Sequence, residues 1–355
     1  MEISEIPVPG YQKVVRGIDR ACGLHALIAV HDTTLGPALG GMRMLPYASE
    51  EEALFDVKRL ARGMTYKSAV AQTGLGGGKS VIIGDPKALK SKALFHAMGR
   101  FVNSLGGLYI TAEDMNIGIS DLEEVRKETK YVTGLSRESG SSGNPSPYTA
   151  RGVVQGMRAV LEELFGSDKF AGRSVLIQGV GAVGGAMAVM LKERGAKVMV
   201  CDINDKRARD LADGYGLQVV PDAGHHRIEV DIYAPCARGA GVNDATIGEL
   251  KCKAIAGCAN NILLEERHGA ELKRRGILYA PDYVINAGGI INVSVECRPE
   301  GYDEAYSLTR VDAIYDNLKE VFRIAKAENI PTHVAADRLA ETRIEEGRRK
   351  KSAKR

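Results

Sequence analysis

Lys79 follows three glycines in the run Gly74-Leu75-Gly76-Gly77-Gly78-Lys79, and Lys67 closes Met64-Thr65-Tyr66-Lys67 upstream of it. A lysine on a glycine loop has two chemical uses. Charged, it binds anions. Neutral, with its pKa lowered by burial or by a second cation, it is a general base. Lys67 can be that cation, and it is also a natural partner for a substrate carboxylate. Glycines beside the lysine remove side chains that would bar a substrate from its stem. The run Leu108-Tyr109-Ile110-Thr111-Ala112-Glu113-Asp114 adds two carboxylates. Strand alternation puts Ile110, Ala112 and Asp114 on one face, and Tyr109, Thr111 and Glu113 on the other. Asp114 thus shares a face with small and apolar neighbours, where a carboxylate is costly unless it has a partner or a task. The residues alone leave both Asp114 and Glu113 open as the acid.

Further along, Gly179-Val180-Gly181-Ala182-Val183-Gly184 has the spacing of a dinucleotide-binding fingerprint, with the expected setting around it. The apolar run 174–178 reads as a buried strand, 182–194 as a helix stopped by Gly195, and 196–201 as a second strand closing on Asp202. Gly179, Gly181 and Gly184, with Val183 among them, let backbone amides approach a pyrophosphate at a helix N-terminus. Asp202 lies 18 residues past Gly184 (202 − 184 = 18), near the ~20 expected of a carboxylate that holds the adenosine ribose. An acid there repels a 2′-phosphate and favours NAD. Arg207 and Arg209 keep NADP open.

The elements that must position these residues follow from periodicity. Residues 25–32, 79–83 and 108–112 read as strands. Residues 49–62 read as an amphipathic helix with a Ser49/Glu52 capping box, and 91–104 as another helix. Ser120 and Glu123 form a second box, opening a helix to about 130. The turn-rich stretch 138–147 marks a domain boundary. Beyond the fingerprint, 230–235, 254–257 and 277–281 read as further strands, with Asn260, Asn261 and Asn286 just past apolar runs, at the edge where such sheets bind ligands. Helical patterns over 308–327 and 332–347 finish the chain.

Length and composition set bounds. At 355 residues, two domains are the default. The hydrophobic share of 44% with 26% charged residues is that of a globular enzyme. No run approaches the ~20 apolar residues of a membrane span, and the first residues are no signal peptide. Six scattered cysteines without CxxC spacing suggest neither a metal site nor disulfides, which fits a reduced, cytoplasmic protein. The net charge of +3 is a property of the tail: residues 348–355 carry six positive charges, leaving 3 − 6 = −3 for the rest. That run reads as a solvated, frayed terminus, and no aromatic–basic interleaving extends it into a nucleic-acid surface.

The chain resembles the leucine, valine and phenylalanine dehydrogenases of the amino-acid dehydrogenase superfamily. The resemblance rests on Thr34-Leu35-Gly36-Pro37-Ala38-Leu39-Gly40-Gly41, GMTYK, GGGKSVIIGDP, TAED, GSSGNPSP, GVGAVG, APCARGA, GCANN, YAPDYVINAGGIINV and HVAADRLAE. It implies that Lys79 is the catalytic lysine, Asp114 the proton-relay acid and Lys67 the substrate-carboxylate ligand, with Gly40 and Gly41 lying against the substrate. Asn260, Asn261 and Asn286 would contact substrate or nicotinamide ribose, and Thr149 would place the nicotinamide. It maps the side-chain pocket onto Leu39, Ala112, Ile290 and Val293; aromatic-preferring relatives have glycine at the Ala112 position. The implied fold is α/β, two domains around a cleft: a substrate-binding and oligomerisation domain from 1–145 plus 331–355, and a Rossmann-type doubly wound NAD-binding domain from 146–330. The implied reaction is NAD-dependent oxidative deamination of a branched-chain L-amino acid by a homo-oligomer, octamer or dimer, with phenylalanine as the rival substrate. Met42, Met115-Asn116 and the region 295–299 depart from the family pattern. A non-catalytic NAD sensor would be expected to have lost Lys67, Lys79 or Asp114, and a 2-hydroxy-acid dehydrogenase would need a histidine–acid motif that the seven histidines do not form.

Overall fold

A computed structural model describes residues 1–237 and 239–353. They form two compact units. The first comprises Met1–Asn144, Val293–Glu304 and the chain from Ala340 onward; the second is Pro145–Asn292 with Ala305–Leu339. Segment 293–304 thus belongs to the first unit, and the C-terminal return to that unit begins at Ala340.

The first unit holds β1 (Glu2–Glu5), β2 (Lys13–Asp19), β3 (Leu24–Asp32), β4 (Ala38–Leu45), α1 (Glu50–Ala71), β5 (Gly76–Ile83), α2 (Pro86–Leu89), α3 (Lys92–Asn103), β6 (Tyr109–Ala112) and α4 (Ile119–Arg126). Its sheet runs β1-β2-β3-β5-β4-β6; β1, β2, β3 and β5 pair antiparallel, while β4 pairs parallel with both β5 and β6. β3 is apolar on both faces because both are covered: Leu27 and Ala29 pack with Ala53, Val57 and Ala61 of α1, and Ala26, Ile28 and Val30 with Leu94, Met98 and Phe101 of α3. β4 escapes a periodicity reading because Gly40-Gly41 dilute its pattern.

Two helices of the first unit differ from the sequence expectation, and further along the chain the single helical pattern expected over 308–327 is divided at Ala313 into two helices. α1 runs nine residues past 62, to Ala71, because Thr65, Ser68, Ala69 and Val70 are all buried; Gln72 ends it at φ 52°. Lys67 is therefore helical. α4 begins one residue before Ser120: Gly118 is its N-cap, and Asp121 accepts from the Gly118 amide at 3.0 Å.

The second unit contains α5 (Ser146–Phe165), β7 (Ser174–Gln178), α6 (Ala182–Glu193), β8 (Lys197–Cys201), α7 (Asp205–Tyr215), β9 (Gln218–Val219), β10 (Val230–Pro235), β11 (Cys252–Ile255), α8 (Glu266–Arg274), β12 (Leu278–Tyr279), α9 (Asp282–Ile285), the start of α10 (Gly288–Val295), most of α11 (Glu304–Asp312), α12 (Ile314–Glu328) and the start of α13 (Thr332–Ser352). Its sheet is wholly parallel in the order β12-β11-β10-β7-β8-β9. That is the doubly wound arrangement, whose strand order reverses between β7 and β10. Ligands bind such sheets outside the carboxyl ends of the strands at this reversal.

The basic tail is not frayed over its described part. α13 continues through Ser352; Arg348 pairs with Asp32 at 3.0 Å, and Lys351 donates to the Thr33 carbonyl at 2.8 Å. Residues 354 and 355 lie outside the described residues. No helix among the described residues is long and apolar enough to cross a membrane.

Candidate active site

In the first unit, β5 carries Lys79 into the middle of the sheet, opposite Ala29 of β3, leaving it 5% exposed. β6 pairs with β4 so that Ala112 faces Gly41. The chain then turns through a bridge between Asp114 and Ile117, and the Asp114 carboxylate accepts from Lys79 Nζ. The ambiguity between the two acids is thereby resolved in geometry: Asp114 meets the lysine. Its Oδ1 also accepts from the Met115 amide at 2.6 Å.

The electrostatics of the pair have separable causes. Burial pushes Lys79 below the ordinary lysine value, against the opposing pull of Asp114; Arg43 lowers it further. Burial alone would raise Asp114, but Lys79 and Arg43 outweigh it and hold the carboxyl below its usual range. A depressed lysine beside an ionised carboxylate gives up its proton more readily than a free lysine and can exchange protons with a substrate. Burial, then Asp114, raises Glu113.

The glycines serve a different purpose from the one expected. Gly76, Gly77 and Gly78 are strand residues of β5 rather than a loop. A Cβ on Gly77 would collide with Thr65 of α1, one on Gly78 would crowd Tyr109 at 2.8 Å, and one on Gly40 would strike the Gly78 carbonyl. Gly41 leaves room for Glu113 and Asp114. Close approach of protein to protein accounts for these glycines. Met64 lies 3.4 Å from the Cβ position of Gly40, and Lys67, three residues on along the same helix face, is half-buried. Leu39 and Ala112 sit on the adjacent strands β4 and β6; Leu39 is buried and Ala112 half-buried.

Arg43 joins the pair of Lys79 and Asp114, although neither the glycine run nor the alternation over 108–114 points to it. Its Nη2 lies 3.5 Å from Asp114 Oδ2, and its Nη1 3.1 Å from Asp56 Oδ2, which also accepts from the Tyr47 hydroxyl at 2.8 Å. The signal was present: a lone cation in the otherwise apolar strand Ala38-Leu39-Gly40-Gly41-Met42-Arg43-Met44-Leu45.

In the second unit the fingerprint joins β7 to α6. Gly179 has φ 95°, which a side chain disfavours, and a Cβ on Gly184 would collide with the Gly179 carbonyl. Gly181 differs. Its φ is −67°, and a Cβ there would meet no protein atom within 4 Å. Neither backbone nor packing asks for glycine at 181; the space beside it is open, and its place at the start of α6 fits a dinucleotide pyrophosphate. Asp202, 7% exposed at the end of β8, accepts from the Val180 amide at 2.9 Å and the Asn204 amide at 2.8 Å, retaining acceptor capacity for a ribose. Arg207 stands 3.7 Å from it, whereas Arg209 pairs with Asp205 at 2.7 Å.

Past the strand ends, Asn286 donates to the Cys258 carbonyl at 3.2 Å and to Asn260 Oδ1 at 2.9 Å, and Asn261 takes φ 51°. Thr149 of α5 donates to the Pro145 carbonyl at 3.1 Å, and its hydroxyl lies 2.8 Å from the Cβ position of Gly289. Ile290 is half-buried and Val293 buried, both on α10. All six cysteines are free. Cys201, Asp222 and His225 bring potential ligand atoms within 4.8 Å of one another, but both His225 nitrogens are engaged, with the Asp222 carbonyl at 2.5 Å and the Tyr233 hydroxyl at 2.9 Å. Burial first, then Asp222 and Asp202, hold the Cys201 thiol up at about 12.

Known proteins match over nearly the whole chain. Residues 12–131 match the dimerisation domain of Glu/Leu/Phe/Val dehydrogenases, and 140–207 and 200–351 match the Glutamate/Leucine/Phenylalanine/Valine dehydrogenase domain. The chain is 53% identical to a leucine dehydrogenase of Geobacillus stearothermophilus over 96% of this chain and 93% of that one. It is 48% identical to a phenylalanine dehydrogenase of Thermoactinomyces intermedius over 94% and 92% of the respective chains. The solved L-tryptophan dehydrogenase of Nostoc punctiforme superposes with a TM-score of 0.86 at 43% identity, covering 96% of this chain and 97% of that one.

Proposed function

This chain belongs to the Glu/Leu/Phe/Val dehydrogenase family, and from that premise we propose that it catalyses reversible NAD-dependent oxidative deamination of a branched-chain aliphatic L-amino acid. L-leucine is the leading substrate, with valine and isoleucine beside it; the products are the 2-oxo acid and ammonia. The observation that carries the reading is the buried Lys79 amine on the Asp114 carboxylate.

Each residue has a task. Lys67 binds the substrate carboxylate, with Gly40 and Gly41 as the backbone beside the bound substrate. NAD, held by the fingerprint residues, would supply the acceptor for a hydride from the substrate Cα, and loss of that hydride would turn the substrate amine into an iminium. Neutral Lys79 takes a proton from water as its oxygen attacks that carbon. Asp114 carries protons to the nitrogen, and ammonia departs as the carbonyl forms. Gly179, Gly181, Val183 and Gly184 hold the pyrophosphate, Asp202 the adenosine ribose and so NAD over NADP, and Thr149, Asn260, Asn261 and Asn286 the nicotinamide end and substrate.

The residues that the family resemblance assigns to the substrate side chain, Leu39, Ala112, Ile290 and Val293, are all aliphatic, so a second carboxylate beside them would stand unpaired. The higher identity to a leucine than to a phenylalanine dehydrogenase supports the same choice. The match of residues 12–131 to a dimerisation domain supports a homo-oligomer, and six free cysteines support a cytoplasmic setting. NADH formation from a panel of L-amino acids, with NADP in parallel, tests the reading. A higher kcat/KM for phenylalanine than for leucine overturns the substrate, and NADP preferred over NAD overturns the role of Asp202.

A further inference from the structure

The Asp114 oxygen that accepts from Lys79 is not Lys79's alone. Arg43 Nη2 lies 3.5 Å from the same Oδ2, and Asp56, 3.1 Å from the other guanidinium nitrogen, holds Arg43 in place. The Tyr47 hydroxyl, 2.8 Å from Asp56, ends the row. Tyr47, Asp56, Arg43, Asp114 and Lys79 thus form a continuous line of polar contacts from the N-terminal half of α1, across β4, to β5. Arg43 and Asp56 are each only 16% exposed, and Arg43 Nε is buried without a hydrogen-bond partner. Burying an ion pair returns little net stability, and an unpaired buried donor detracts further. Packing does not account for this arginine.

We propose that Arg43 is a positioning residue for the acid–base pair: as a second, permanent cation on Asp114, it lets Lys79 give up its proton without stranding a buried carboxylate. The inference rests on the reading of Lys79 and Asp114 given above. Without Arg43, the lysine proton is the charge that compensates Asp114 at this oxygen, and their attraction locks the ammonium in its protonated form. Arginine does not deprotonate at any working pH, so with Arg43 present the carboxylate stays compensated in both states of Lys79. The guanidinium also repels the ammonium directly, and it lowers both Lys79 and Asp114. Asp56 acts on Lys79 in the opposite sense. The other ionisable groups that feel Asp114, Tyr109 and Glu113 on and just past β6, are both raised, by burial first. Neither can supply positive charge in place of Arg43. Lys67 remains in every variant below, so the comparison isolates the guanidinium.

The test is the pH profile of kcat/KM for L-leucine oxidation with NAD, in wild type, Arg43→Met, Arg43→Lys, Asp56→Asn and Lys79→Ala, each checked for folding by thermal melting. A charge within about 4–6 Å moves a pKa by about one to three units, and Arg43 and Lys79 share the same Asp114 oxygen. Arg43→Met should therefore shift the acid limb upward by at least about one pH unit, with activity recovering at high pH. Arg43→Lys keeps the charge and should leave the limb within about half a unit of wild type. Asp56→Asn removes an anion that favours the ammonium and should move the limb down. An Arg43→Met enzyme with its limb in place and a uniform loss of rate overturns the proposal. If Arg43→Met does not fold, an upward or absent shift in Asp56→Asn overturns it instead. Lys79→Ala separates the two levels: turnover with a wild-type profile in that variant sinks the acid–base reading itself, whereas an inactive Lys79→Ala beside an unshifted Arg43→Met sinks only the role of Arg43.

Discussion

Asp114→Asn removes one charge and almost nothing else. The amide is isosteric, and its oxygen can still accept from the Met115 amide, so the turn after β6 keeps its bond. What disappears is the anion that Lys79 donates to and that Arg43 faces. Arg43 retains Asp56; Lys79, 5% exposed, is left without that counter-charge. Removing one partner of a buried pair costs about 3–5 kcal/mol, and a domain of this size loses about 2–4 °C of Tm per kcal/mol, so Tm should fall by on the order of 10 °C. The pH dependence carries more information. Burial already places Lys79 below its ordinary value of 10.5, and Asp114 opposes that shift; without Asp114 the depression deepens. A base with a depressed folded-state pKa destabilises the fold fully below that pKa, and the cost is relieved as pH rises from it toward the unfolded value. The deficit of Asp114→Asn relative to wild type should therefore be larger at about pH 6 than at about pH 10. Proton-transfer groups contribute about 10²–10⁴-fold, so kcat should fall by at least ~10² while NAD affinity, set by the fingerprint of the second unit, stays put. Differential scanning calorimetry across pH and initial-rate kinetics measure these. A Tm deficit that is flat or grows with pH, together with kcat within a few-fold of wild type, would refute both the electrostatic account and the catalytic role.

Three further outcomes are expected. Gly181→Ala should leave Tm unchanged or slightly higher, since its added Cβ meets no protein atom, yet weaken NADH binding by at least about tenfold by blocking backbone approach to the pyrophosphate; fluorescence titration with an unaltered Kd would remove the assignment. Asp202→Ser should narrow the NAD/NADP preference in kcat/KM, and weaken NAD as well, because the Val180 amide loses its acceptor; a preference ratio identical to wild type counts against Asp202 as the discriminating residue. Ala112→Gly should raise phenylalanine relative to leucine by roughly the 10–200-fold that small changes in an apolar pocket allow; competition kinetics showing no relative gain would place the pocket elsewhere.

Which parts of this molecule were legible in its sequence depends on how local the cause is. The fingerprint strand, helix and acid were readable because their geometry is set within a short stretch: Gly179 needs φ 95° and Gly184 must clear the Gly179 carbonyl. The alternation over 108–114 narrows the acid to two residues and cannot choose between them, because Lys79 arrives from a strand 35 residues away in sequence; the family resemblance favours Asp114, and the fold shows the contact behind that choice. The helix start near Ser120 was misplaced for a related reason: the capping-box pattern fits Ser120 and Glu123, while Asp121 makes the bond, to Gly118. The basic tail reads as solvated until Asp32 and Thr33, more than 300 residues earlier, are brought beneath it. The glycines state the point most sharply. Gly77, Gly78 and Gly181 are the same letter and invite the same explanation, room for a ligand. Thr65 of α1 and Tyr109 of β6 fill the space beside the first two, and nothing in the protein fills the space beside the third. A glycine can point to a ligand only where the fold offers no neighbour that demands it; by that criterion the glycine run before Lys79 builds the sheet that holds the lysine, while the space beside Gly181, at the start of α6, stays open for the cofactor that we propose there.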